Sequence, residues 1–157
     1  MKKTITKMAL VFVLGSGIVH AAQDNNKDTL WQTDFEKAKK ESAEKDQPIL
    51  ANFTGSDWCG WCIRLHKNVF SKKAFKKYAR KNLVPLKVDF PREKKQPAEI
   101  KQQNRKLAKE YEIKGFPTIL ILNSKGEILA RTGFQKGGPE KYVKHLKKLI
   151  KEADTPE

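Results

Sequence analysis

Two cysteines, three positions apart and just behind a short apolar run, constrain this chain more than any other feature. Cys59 and Cys62 are the only cysteines among 157 residues. A framework of structural disulfides needs more cysteines, spread along the chain. A pair this close closes a very small loop and restrains little of the unfolded chain, so its purpose is chemical. The run before it, Pro48-Ile-Leu-Ala-Asn-Phe53, is short, mostly apolar and ends at a turn, which predicts a buried central strand. Thr54-Gly-Ser-Asp-Trp58 is a tight connection, and a helix is predicted from Cys59 to about Val69. Cys59 then stands at a helix start, where free backbone N–H groups and the helix dipole favour negative charge. The pKa of a free cysteine, roughly 8.5, can fall to about 3.5–7.5 in such a place, which yields the reactive thiolate. Cys62 lies about one turn on, within reach of Cys59 and more buried. Trp58 is expected to cover the pair and Trp61 to face a substrate.

The rest of the chain supplies the scaffold. Thr33 or Asp34 can cap a first helix reaching about Lys45, with Phe35, Ala38 and Ser42 on one face. Leu30-Trp31 is a candidate edge strand, and Ser71 a candidate cap for a helical piece carrying Ala74, Phe75 and Tyr78. Leu83 to Val88 is a strand that Pro85 places near an edge or at a bulge. Pro97 suits the first position of a helix carrying Ile100, Asn104, Leu107 and Tyr111. Thr118 to Leu122, the turn Asn123 to Gly126, and Glu127 to Ala130 form a β-hairpin. Gly137-Gly138-Pro139 opens a last helix with Tyr142, Val143, Leu146, Leu149 and Ile150 on its apolar face. Alternation in the first half demands a parallel crossover and the hairpin adds antiparallel strands. The fold class is therefore α/β, a central mixed β-sheet flanked by helices on both faces.

Residues 1–21 have the pattern of a cleaved secretory signal peptide. Lys2, Lys3 and Lys7 precede a Met8 to Val19 apolar run that is too short for a span of roughly 20 residues. The domain plan is then a signal peptide at 1–21, a flexible leader at 22–29, one domain at 30–152 and a flexible tail at 153–157. Loss of the three signal lysines takes the formal charge from +15 to +12. The remaining lysines are spread over every predicted helix, and no aromatic–basic interleaving is present. A solvated surface is expected, with no nucleic-acid partner. A monomer is the default.

Cys-x-x-Cys also occurs in zinc sites, but a closed structural site needs four ligands. A copper or zinc site of Cys59, Cys62 and His66 stays open as an alternative; the expectation is no metal. Haem attachment is excluded because Ile63, not histidine, follows Cys62. Gly115-Phe116-Pro117-Thr118 is the second signal. A cis Phe116–Pro117 bond would leave the Phe116 backbone free to pair with an extended substrate.

Three segments together, Ile49 to Cys62, Tyr111 to Leu122 and Gly126 to Gly133, resemble the thioredoxin superfamily over about residues 30–150. Thr54-Gly-Ser-Asp-Trp-Cys-x-Trp-Cys62 and Val88-Asp-Phe-Pro91 are most similar to the DsbH-type periplasmic disulfide reductases. The resemblance implies a thioredoxin-like fold, a nucleophilic Cys59, a resolving Cys62 and a cis Pro117. It also implies a substrate groove formed by Trp58, Gly60, Trp61, Phe116, Pro117 and Gly133. The implied activity is protein-disulfide reduction in the periplasm, with no cofactor beyond the Cys59–Cys62 couple. Implied partners are proteins with disulfides and an electron-donor thiol protein, such as a membrane thiol relay. Disulfide isomerase, oxidase and reductant of haem-binding cysteines share this chemistry. Isomerases of the fold are often dimers with an added region, and oxidases usually carry a large helical insertion; the helix from Pro97 to Tyr111 is too small for that.

Departures from the superfamily pattern are specific. Asn52 stands where thioredoxins carry a buried aspartate that deprotonates the resolving thiol, and asparagine is no base. The neighbouring buried lysine aligns with Pro85. Proton removal from Cys62 is then expected through water or another group such as Asp57. Gly60-Trp61 differs from the inner dipeptides of thioredoxin, disulfide isomerase and DsbA, and Pro91 to Gln103 is a longer, basic segment.

Overall fold

The computed structural model describes residues 30–153; the expected signal peptide, leader and nearly all of the tail lie outside that range. The first helix, α1, spans Phe35–Lys45 and begins where Asp34 accepts a hydrogen bond from the Lys37 N–H at 3.0 Å. Its buried residues are Phe35, Ala38 and Ser42, as their spacing predicts. Strand β1, Ile49–Thr54, is buried along its whole length. It runs parallel to β2, Val84–Asp89, and antiparallel to β3, Thr118–Leu122, which pairs in turn with β4, Ile128–Thr132. The sheet order is β2-β1-β3-β4.

Strand alternation divides the core into two layers. Ile49, Ala51 and Phe53 of β1, with Leu86, Val88, Leu120 and Leu122, pack under Phe35, Ala38, Leu107 and Tyr111 of α1 and of α4, Ala98–Glu110, with its cap. Leu50, Ile119 and Ile121 pack against the opposite layer. That layer comprises α2, Gly60–Leu65; a π-helical turn, His66–Phe70; α3, Lys73–Asn82; and α5, Gly138–Ala153. Helices thus cover both faces of a mixed sheet, as the sequence predicts.

Several local expectations are refined. The single helix predicted to Val69 widens at His66, where the Ser71 N–H reaches back to the His66 carbonyl at 2.9 Å. The wider turn lets the consecutive Val69 and Phe70 both enter the core, which a regular helix face would not allow. Ser71 does not cap α3. Its hydroxyl donates to the Lys67 carbonyl, and Lys72 takes the cap position with no side-chain bond. Pro97 precedes α4 as its cap instead of standing inside it. The edge strand at Leu30-Trp31 shrinks to one bridge between Gln32 and Leu86. The Gln32 N–H donates to the Pro85 carbonyl at 3.0 Å. Pro85 therefore turns its missing N–H toward the sheet edge, where the ladder to β1 loses nothing. In the hairpin turn, Gly126 has φ +90° and lies against Phe35 and Tyr111, so a β-carbon there would be both strained and crowded.

Candidate active site

Two loops at the end of the central strands hold each other. Phe90 N–H donates to the Thr54 carbonyl at 2.8 Å. The Asp89 carboxylate accepts from the Ser56 N–H (3.0 Å) and hydroxyl (2.6 Å), and the Lys87 ammonium lies 2.9 Å from it. Trp58 Nε1 donates to the Phe90 carbonyl at 2.8 Å. The Trp58 ring lies so close over Gly55 that a β-carbon there would be 2.5 Å from it. Each residue of Thr54 to Trp58 thereby has a mechanical reason to be what it is. The Val88 to Pro91 segment is its counterpart across the loop.

This frame delivers Cys59 to the start of α2. Cys59 is the helix cap, and its sulfur accepts from the Cys62 N–H at 3.2 Å. The two cysteines form a disulfide, with Cα atoms 5.2 Å apart. Cys59 is 7% exposed and Cys62 4%, so the order of burial is the expected one by a small margin. Aromatic residues surround the pair. Trp58 meets Phe116 edge-on at 6.0 Å, and the Arg92 guanidinium lies 4.0 Å over its ring. Trp61, 52% exposed, rests on Phe134 at 5.1 Å with Arg64 at 4.7 Å. Phe116 stacks on Phe90 at 5.1 Å, and the Phe116–Pro117 bond is cis. A β-carbon on Gly133 would stand 3.3 Å from the Pro117 carbonyl oxygen, so this glycine lets two loops approach. Open space surrounds Gly60.

Phe90, Arg92, Phe134 and the exposed Ile63 belong to this surface and were not singled out from the sequence. Phe90 was within a quoted motif, and Phe134 directly follows Gly133. Only the fold shows that they reach the cysteines' neighbourhood.

Two departures take a different form in three dimensions. Lys87 is in register with Asn52 and presents its side chain to the same side of the sheet, toward α2. A cation therefore returns near Cys62 from two residues beyond Pro85. Asp57 is not available as the proton acceptor. Its carboxylate accepts the N–H groups of Arg92, Glu93 and Lys94 at 3.0, 2.9 and 3.1 Å. Desolvation pushes its pKa up, but those bonds together outweigh it and hold the group at about 2, against an ordinary 3.8. Because the folded value is depressed, the latch stabilises fully above about pH 4 and fades as pH falls through 2. Asp57→Asn should be less stable at pH 7, and its deficit against the native chain should narrow between pH 4 and 2. Denaturant midpoints across that range measure this, and a constant deficit would refute the latch.

His145 sits on α5, with Nε2 at 2.8 Å from the Thr132 hydroxyl. Among the described residues no three His, Cys, Asp or Glu side chains are grouped to hold a metal.

A family model described as a thioredoxin-like domain matches residues 35–150. The disulfide bond reductase DsbH of Chlamydia pneumoniae is 37% identical over 121 residues, which is 77% of this chain and 72% of that protein. The thioredoxin-related protein DsbJ of the same organism is 29% identical over 125 residues, 79% of this chain and 36% of that protein. A solved DsbH oxidoreductase superposes with TM-score 0.74 at 37% identity, covering 77% of this chain and 83% of that one. A thioredoxin from Thermus thermophilus superposes with TM-score 0.60 at 17% identity, covering 79% and 88%, a likeness of fold alone.

Proposed function

Because this chain belongs to the thioredoxin-like domain family, we propose that it is an exported protein-disulfide reductase that works through Cys59 and Cys62. The observation that carries this is the disulfide itself. A cysteine at a helix start is bonded to a second cysteine one turn inward, beneath a surface of exposed aromatic rings. The 37% identity to a disulfide bond reductase gives the direction of transfer, and it supports a periplasmic location.

In this reading Cys59 attacks a substrate disulfide. One substrate sulfur leaves with the electron pair of the broken bond, and a mixed disulfide forms. Cys62 then attacks Cys59, and the second substrate sulfur leaves as a thiol. The substrate is reduced by two electrons and the Cys59–Cys62 dithiol is oxidised by two. An electron-donor thiol protein restores the dithiol. Trp58, Gly60, Trp61, Phe116, Pro117 and Gly133 form the surface that receives the substrate chain, with its apolar contacts made by Trp61 and Trp58. Residues 1–21 carry the export signal and 30–152 the working domain.

Cys59→Ser tests the reading. Catalysed reduction of a protein disulfide by a small dithiol should fall to the uncatalysed rate, because the attacking thiolate is gone while Cys62 stays buried. Retained catalysis in this variant would remove Cys59 from the mechanism.

A further inference from the structure

Resting on the oxidoreductase reading, a question remains about the second half of the cycle. Cys62 must be a thiolate to attack, yet it is 4% exposed, so its proton needs a nearby destination. Behind Cys62 lies a cavity of about 520 Å³ between α2, the π-helical turn, α3 and the sheet. Its titratable and charged lining is Cys62, His66, Lys76 and Arg80 of α3, Lys87 of β2, and Lys94 of the loop after β2. The lysines and the arginine already carry their protons at neutral pH. Asp89, beside Lys87, is engaged by that ammonium and by Ser56. Asp57 is engaged by three backbone N–H groups. His66 is the remaining base among these groups.

The placement suits that role. The His66 N–H bonds to the Cys62 carbonyl, so the two side chains stand one turn apart on one helix face, with β-carbons about 5–6 Å apart. Asn52 lines the same cavity from β1, is 8% exposed, and has a buried Oδ1 with no partner among the described residues. An acceptor there can hold an S–H or O–H donor between Cys62 and His66. His66 also has a solvent-exposed side, which gives the proton an exit.

We propose that His66 is the proton acceptor for Cys62 in the resolving attack, with the Asn52 amide lining the proton's path. The Cys62 proton passes to a ring nitrogen of His66. The Cys62 sulfur then bonds to Cys59, the bond from Cys59 to the substrate sulfur breaks, and the departing sulfur takes a proton from solvent or from His66. Burial, with the charges of Lys87, Lys76 and Lys94, holds the His66 pKa below its usual 6.5. The ring is therefore neutral and able to accept at pH 7. The same cations favour the Cys62 thiolate.

The test is rapid mixing of the reduced protein with one equivalent of 5,5′-dithiobis(2-nitrobenzoic acid). The first release of coloured thiolate reports attack by Cys59 and depends on concentration. The second reports the unimolecular attack by Cys62. In the native chain the second phase should be level with pH from about neutrality upward. In His66→Gln it should be about a hundredfold slower at pH 7 and should rise through about pH 8.5, the range of an unassisted thiol. The first phase should be the same in both, which also shows that the variant folds. A second phase unchanged in His66→Gln, or slowed equally at every pH, overturns the proposal and leaves the oxidoreductase reading standing. No first release from the native chain overturns both.

Discussion

Cys62→Ser is expected to turn a catalyst into a trap. Cys59 keeps its place at the start of α2 and still attacks the substrate disulfide, but the mixed disulfide has no inward thiol to resolve it. Cys62 is bonded to Cys59 in the structure, so its attack is intramolecular and aligned. Well-aligned intramolecular reactions have effective molarities of about 10⁵ M or more, so an external thiol at about 1 mM is a poor substitute and turnover should fall at least about a thousandfold. Mass spectrometry of the variant mixed with a disulfide-bonded protein should find one substrate thiol per chain on Cys59, released by excess dithiol. Full turnover without such an adduct would mean that Cys62 does not resolve the intermediate.

Phe53→Ala should have the largest effect on stability. Phe53 is wholly buried in the central strand, pairs in register with Val88 and Thr118, and meets the Tyr111 ring edge-on at 6.1 Å. Truncation of a buried phenylalanine costs about 3–5 kcal/mol, against a total of about 5–15 kcal/mol for a typical domain. Ile128, 46% exposed on the edge strand β4, provides the contrast, since its truncation should cost no more than about 0.5 kcal/mol. Denaturant unfolding of both variants decides this. A loss below about 1 kcal/mol at Phe53 would mean that the sheet is not anchored through β1.

The features legible from the sequence are those set by local chemistry. The six-residue apolar run gave β1, the spacing of Phe35, Ala38 and Ser42 gave the buried face of α1, and Pro85 marked the edge strand. The cysteine pair was legible for the same reason, since its helix-start position follows from the turn before it. Features that depend on register or on distant partners were not legible. Val69 and Phe70 both face the core only because Trp31 and Phe75 complete an aromatic cluster around Phe70 at 5.0 and 4.7 Å. Asp57 looked like a free carboxylate until the loop at Arg92 to Lys94 closed on it. Lys87 seemed unrelated to Asn52 in the linear chain. Only the pairing of β1 with β2 sets them side by side behind Cys62.

The central claim is that the Cys59–Cys62 couple gives electrons to protein disulfides, and its reduction potential tests that most directly. Each 30 mV corresponds to about 1.4 kcal/mol for a two-electron couple, and relatives of this fold span about −270 mV for thioredoxin to about −120 mV for DsbA. Equilibration of the protein in glutathione buffers, with the dithiol fraction read by alkylation, should place the couple at or below about −230 mV. A value near about −120 mV would contradict the reductase account, because such a disulfide takes electrons from substrates instead of supplying them.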